Sequence, residues 1–198
     1  MKGPVVREIL SWVVCIGLAI CVALLINSFI IINATIPSES MEPTISVGNR
    51  IFGNRLSYLN SKPRRGDIII FKYPVDEAQG TTTLYIKRII GLPGDNVKIH
   101  NQDVYINDII LDEPYAKYTL NSESDDIDEY TVPEDCYFVL GDNRDFSEDS
   151  RYWRYKAKEA GLVETSEEGM SYSFVPKDFI LGKAGLRYFP VNKFGFVK

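Results

Sequence analysis

Between Pro37 and Thr44 the chain reads PSESMEPT, placing two hydroxyls, Ser38 and Ser40, one residue apart with prolines flanking them. Proline fixes φ, so Pro37 and Pro43 restrict a short loop and hold Ser40 in one pose at low entropic cost. On an extended chain alternate side chains share a side. Ser38 and Ser40 then point together, while Met41 turns the other way, into the core or a pocket wall. With Ser40 as nucleophile, the Ser38 hydroxyl and the Ser40 backbone N–H form a donor pair suited to an oxyanion. An ordinary loop beside a membrane segment is the bland alternative for the same residues.

A serine nucleophile needs a base. The one histidine, His100, falls at the tip of a predicted hairpin, where an exposed turn residue is the simpler reading, so a Ser-His-Asp triad is not expected. A lone histidine and one cysteine outside the N-terminal apolar run cannot assemble the usual zinc ligands, so zinc is not expected. Neither G-x-S-x-G nor S-x-x-K occurs. Lysine remains, and it acts as a base only when neutral. An exposed ammonium with a pKa of about 10.4 is charged at neutral pH, whereas burial lowers that value by several units. Lys87 sits inside the apolar run LYIKRIIGL, where an alternating strand aims it opposite to Ile86 and Arg88. A lysine in a strand also commonly takes the wet face, and the pattern alone leaves both readings open.

The elements that must position these groups read mainly as β. DIIIF and LYIKRIIGL are short β-branched runs bounded by Gly, Pro and Asp, as buried strands tend to be. VKIHNQDVYIND alternates on both sides of His100 to Gln102 and predicts a hairpin, and CYFVLGDN and ILGKAGLRYFP predict two further strands. A short outer helix is expected within Arg154 to Gly169, and the acidic stretch NSESDDIDEY is expected to be a solvated loop. That stretch lacks calcium-loop spacing. The outer part is read as a single β-rich domain.

Ahead of that domain, no charged residue occurs from Ile9 to Ser38, more than the roughly 20 apolar residues a hydrocarbon layer requires. The expectation is a transmembrane helix over residues 9–33, with a cytoplasmic N-terminus over 1–8 and an extracytoplasmic domain over 34–198. A cleavable signal peptide has a shorter apolar region and a small-x-small site. Ala34 has Ile32 two residues before it, so that site is missing. Lys2 and Arg7 precede the run and Glu39 and Glu42 follow it, which favours the N-terminus inside. Cys15 and Cys21 lie in the run and Cys136 stands alone beyond it, so no intrachain disulfide is expected. The net charge of −5 carries no basic stripe, which argues against nucleic acid.

PSESMEPT, RGDIIIF, YIKRIIGLPGD and GDNRDFSEDSRYW, in this order after one N-terminal span, resemble the bacterial type I signal peptidases of the short, single-span Gram-positive style. The resemblance covers nearly the whole chain. It implies a membrane-bound Ser/Lys endopeptidase that removes signal peptides from exported preproteins, acting at the lipid bilayer near the secretion translocon, with no metal and no organic cofactor. Ser40 then matches the nucleophile, Lys87 the general base and Ser38 the oxyanion serine. Ser147 matches a serine that hydrogen-bonds the lysine, and Asp149 and Arg151 an ion pair behind the site. Arg144 and Asp145 match structural positions. Ile36, Tyr85 and Ile86 match positions lining shallow pockets for small side chains, with Met41 a further candidate for the pocket wall.

Two departures stand out. Arg154 replaces the family's usual Gly after SRYW, with about twenty residues, 154–173, inserted before FVP. Phe146 also stands where Asn is common before Ser147, and its ring is expected to shift that serine. Two other readings compete: a catalytically silent peptide-binding module, against which Ser38, Ser40 and Lys87 together argue, and a peptidase dedicated to a few substrates.

Overall fold

The computed structural model describes residues 3–120 and 127–197. Pro4–Phe29 form helix α1, with Pro4 in the first turn, where its missing N–H breaks no helical hydrogen bond. Val6–Phe29, 24 residues of mean hydropathy 2.9, bury nothing against the rest of the chain. At about 1.5 Å per residue this length exceeds a hydrocarbon layer of about 30 Å.

The apolar run outlasts the helix. Ile31–Thr35 form strand β1, antiparallel to β2, Arg50–Asn54, so the helix expected over 9–33 stops at Phe29. Apolar content is continuous across the change, but the β-branched run at Ile30 to Ile32 suits a strand better than a helix. The Arg55 N–H caps the exit by donating to the Ile30 carbonyl at 2.9 Å.

The remaining elements are β3 (Ile68–Lys72), a short helix α2 (Pro74–Ala78), β4 (Leu84–Gly91), β5 (Asn96–His100), β6 (Asp103–Ile106), β7 (Ile109–Ile110), β8 (Ile127–Thr131) and β9 (Cys136–Leu140). They are followed by helix α3 (Trp153–Glu159), β10 (Val175–Pro176), β11 (Ile180–Phe189) and β12 (Gly195–Phe196). The larger sheet runs β1-β2-β11-β3-β4-β9-β10, with β12 on β11, and the smaller runs β7-β6-β5-β8. The fold is thus mainly β with an N-terminal apolar helix.

The predicted hairpin is β5–β6, where His100 pairs with Asp103 and Asn101 takes the turn at φ 55°. Of the acidic stretch, residues 121–126 lie outside the described residues. Ile127 to Tyr130 belong to β8 rather than to a loop, and buried Tyr130 packs on Phe138 at 4.6 Å between ring centroids.

β4 lies inside the larger sheet, between β3 and β9. One of its faces meets a core of Ile69, Phe71, Ile89, Val139 and Trp153; the other meets Ile68 and Ala184 at one end and Leu140 at the other. Fully buried aliphatic and aromatic side chains such as Ile69 and Phe71 each contribute about 1.5–3 kcal/mol. Helix α3 belongs to the insertion and is anchored by buried Trp153 and Ala157. It is only seven residues long because Gly161, at φ 71°, turns the chain out just beyond it. The chain then folds back through a 3-10 turn, Glu168–Ser173. There Gly169 passes the Arg154 carbonyl so closely that a Cβ would sit 2.6 Å from the oxygen.

Candidate active site

Ser40 lies in the connection between β1 and β2, and Lys87 lies in the middle of β4. Although 47 residues apart in sequence, Lys87 Nζ and Ser40 Oγ are 2.8 Å apart. Lys87 is 4% exposed. On its own face it stands between Tyr85 and Ile89, with Ile69 as its partner on β3. Burial pushes the Lys87 ammonium down to about 8, against the attraction of the Asp149 and Glu148 carboxylates. Tyr85 has its ring 5.3 Å from Nζ and stacks on Tyr73 at 4.4 Å, and burial raises its phenol to about 12, so it stays uncharged.

Ser38 and Ser40 do meet, with hydroxyl oxygens 3.3 Å apart, though on a bend and turn rather than an extended chain. The bend follows Pro37 and brings Ser38 to the cavity while Ile36 and Met41 go inward. Pro37, Ser38, Ser40, Tyr85, Ile86 and Lys87 line a cavity of about 370 Å³, whose other walls are Thr83, Leu84, Phe146 and Glu148. Ile36 and Met41 are buried one layer deeper, in a cluster against which Ile86 packs. They back the cavity and do not line it.

Asp149 is fully buried. Its carboxylate accepts from Arg151 Nε at 2.8 Å, from Arg151 NH2 at 2.9 Å and from the Gly141 N–H at 3.0 Å. Burial alone raises its carboxyl, but the Arg151 guanidinium and the Gly141 N–H outweigh it and hold the group below the ordinary carboxylate range. Ser147 does not bond the lysine here. Its buried hydroxyl is turned against Gly141 and toward the Asp149 carboxylate, which it helps to hold in the charged form. Arg144 pairs with Glu113 at 2.6 Å, and Asp145 accepts from the N–H groups of Thr119 and Leu120, so both brace the strand end.

The sequence reading missed the clamp that holds the Ser40 loop. Just after β9, Asn143 donates its backbone N–H to the Ser40 carbonyl at 3.1 Å and its side-chain amide to the Glu39 carbonyl at 3.2 Å. Asp142 accepts from Thr44 Oγ1 at 2.5 Å and from Arg88 Nε at 2.8 Å. Gly141 is required by close approach, since a Cβ there would meet the Ser40 carbonyl at 2.5 Å as well as the Ser147 hydroxyl. Its signal was the polar GDN following a strand, but nothing local to that tripeptide names its partners about a hundred residues away.

The family profile described as "Signal peptidase, peptidase S26" matches residues 9–189. This chain belongs to the signal peptidase family. A "Probable signal peptidase I-2" of Synechocystis sp. is 38% identical over 82% of this chain and 65% of its own length, so this chain spans just under two thirds of that relative. The "Signal peptidase I" of Leptolyngbya laminosa is 36% identical over 94% of this chain and 83% of that one. A Staphylococcus aureus "Signal peptidase IB" is 30% identical over 95% and 93%. Membership in the signal peptidase family carries the reaction class, a hydrolase cutting peptide bonds, and fits the N-terminal apolar helix.

Proposed function

We propose that this chain removes signal peptides from exported preproteins with Ser40 as nucleophile and Lys87 as general base. The observation that carries this reading is the 2.8 Å contact between Ser40 Oγ and a lysine amine that burial brings to about 8. Neutral Lys87 takes the Ser40 proton as Oγ attacks the scissile carbonyl, and the Ser38 hydroxyl and Ser40 N–H face the developing oxyanion. As the tetrahedral intermediate collapses to an acyl-enzyme, the leaving amine takes the proton from Lys87. Lys87, neutral again, then takes a proton from a water that attacks the acyl ester, and it returns that proton to Ser40 Oγ as the ester bond breaks and the signal peptide leaves.

Tyr85 and Ile86 wall the pockets for small side chains, with Ile36 and Met41 supporting Ile86 from below. A larger residue overpacks such a site at about 1–3 kcal/mol. Asp149 and Arg151 fix the Gly141 end of β9, and Asn143 extends that support to the Ser40 loop. In this reading α1 anchors the enzyme with its N-terminus cytoplasmic and residues 34–198 outside, near the translocon, so that Ser40 meets the end of a signal peptide's own apolar helix.

The test is cleavage of a preprotein with an Ala-x-Ala site by the detergent-solubilised chain. Wild type should cut after the second alanine, while folded Ser40→Ala and Lys87→Ala should each lose at least about a thousandfold in kcat/KM. Retained cutting by Ser40→Ala contradicts the proposal.

A further inference from the structure

A second cavity, about 470 Å³, lies beside the first, between the 3-10 turn Arg144–Phe146 and helix α3 of the insertion. Phe146 and Glu148 line both cavities. An extended chain advances about 3.3 Å per residue, so a polypeptide held in the first cavity reaches the second within a few residues.

The walls of the second cavity are aromatic and its charge is acidic. Phe146, Tyr152 and Tyr155 are each about half exposed there. Tyr155 is fixed in place by Arg154, which donates to its hydroxyl at 2.6 Å and lies 4.7 Å from its ring centroid. Of the carboxylates, Asp145 is committed to the N–H groups of Thr119 and Leu120. Glu159 holds Lys156 at 2.9 Å. Glu148 has a looser hold: Lys156 is 3.9 Å away, the Tyr85 hydroxyl 3.4 Å away, and its side chain is 42% exposed. A slot of aromatic rings ending in an open carboxylate is complementary to a lysine or arginine, whose stem packs on the rings while its charge meets the carboxylate.

We propose that this cavity is a subsite for a basic side chain of the substrate, a few residues from the cut, with Glu148 as the residue that confers the preference. The proposal rests on the reading of Ser40 and Lys87 as the catalytic pair. It also gives the insertion a role, because α3 contributes Tyr155, Lys156 and Glu159 to the slot. Lys156 is the built-in competitor for Glu148, so a substrate cation must displace it and gains more where Lys156 is absent.

The experiment uses the full detergent-solubilised chain and synthetic Ala-x-Ala peptides in which one lysine is moved through each position on either side of the cut, against glutamine at the same position. At one position lysine should raise kcat/KM about threefold to fivefold over glutamine, the size expected of a partly exposed ion pair. That ratio should fall to about one in Glu148→Gln and rise above wild type in Lys156→Ala. Taking the ratio within one variant cancels any change in Lys87 that both peptides experience. A flat lysine scan in wild type, or a ratio that survives Glu148→Gln, overturns the subsite. Cleavage of the glutamine peptides by wild type and not by Ser40→Ala upholds the catalytic pair whatever the ratios show. Failure of wild type to cut any peptide removes both proposals together.

Discussion

Lys87 and Arg88 are neighbours on β4, both cationic by type and both buried, at 4% and 3% exposed, yet their surroundings differ. Arg88 points to the face where Asp142 meets it through two hydrogen bonds of 2.8 and 2.6 Å, the Gly66 carbonyl accepts at 2.9 Å, and the Tyr115 ring lies 3.9 Å away. Lys87 points to the face where its close polar partner is a serine hydroxyl. Among the described residues, no carboxylate comes within ion-pair distance of it. The nearby buried acid, Asp149, has both oxygens engaged by Arg151 and the Gly141 N–H. Arg88 is buried together with a carboxylate of its own, whereas Lys87 is buried on the face where the nearby carboxylate is already committed elsewhere. One strand thus carries a structural cation and a depressed amine side by side.

The contrast can be broken from the Arg88 side. Arg88→Met leaves the Asp142 carboxylate buried with Thr44 but no guanidinium, and removing one partner of a buried pair costs about 3–5 kcal/mol. Urea denaturation should show that loss. A change under about 1 kcal/mol would mean that Arg88 is not structurally committed as described.

From the Lys87 side the expected stability effect has the opposite sign. The unfolded chain keeps the Lys87 proton up to about pH 10, whereas the native chain releases it at about 8. In that window the unfolded state binds more protons, so native stability rises with pH. Below about pH 8 the buried ammonium is a cost. Lys87→Met should therefore be more stable than wild type there, by about 3 kcal/mol, with the advantage vanishing toward pH 10.5. Parallel melts across pH check this, and equal stability at all pH values would contradict it.

How much of this was readable in advance follows from what each signal depends on. Strands β3, β4, β9 and β11 and the β5–β6 hairpin were legible because alternation and turn residues are local, whereas β2 was not foreseen and β8 falls in an acidic stretch that reads as a loop. The end of α1 was not, because apolar content runs unbroken from helix to β1. For Lys87, alternation supplied the direction but not the burial, since both faces of β4 are covered here and only tertiary packing decides that. The Ser38–Ser40 pairing was foreseen, though it depends on a bend and not on extended geometry. The clamp of Gly141, Asp142 and Asn143 escaped because its contacts span about a hundred residues. Met41 in the core was one of the two placements expected, whereas the buried placement of Ile36 and the inward turn of Ser147 depend on neighbours brought from other strands.

The smallest expected effect sharpens the comparison by changing the field at Lys87 without touching it. The Glu148 carboxylate raises the Lys87 pKa, so Glu148→Gln should move the acid limb of the kcat/KM profile toward lower pH by a fraction of a unit. A shift toward higher pH would contradict that placement.

The most direct test of the central claim is the pH dependence of kcat/KM for a neutral Ala-x-Ala peptide cut by the wild-type chain. Activity should rise with a slope of one proton through an apparent pKa of about 8, as Lys87 loses its charge beside Ser40. A rate that stays flat between about pH 6 and 10 would mean that the buried amine is not the base.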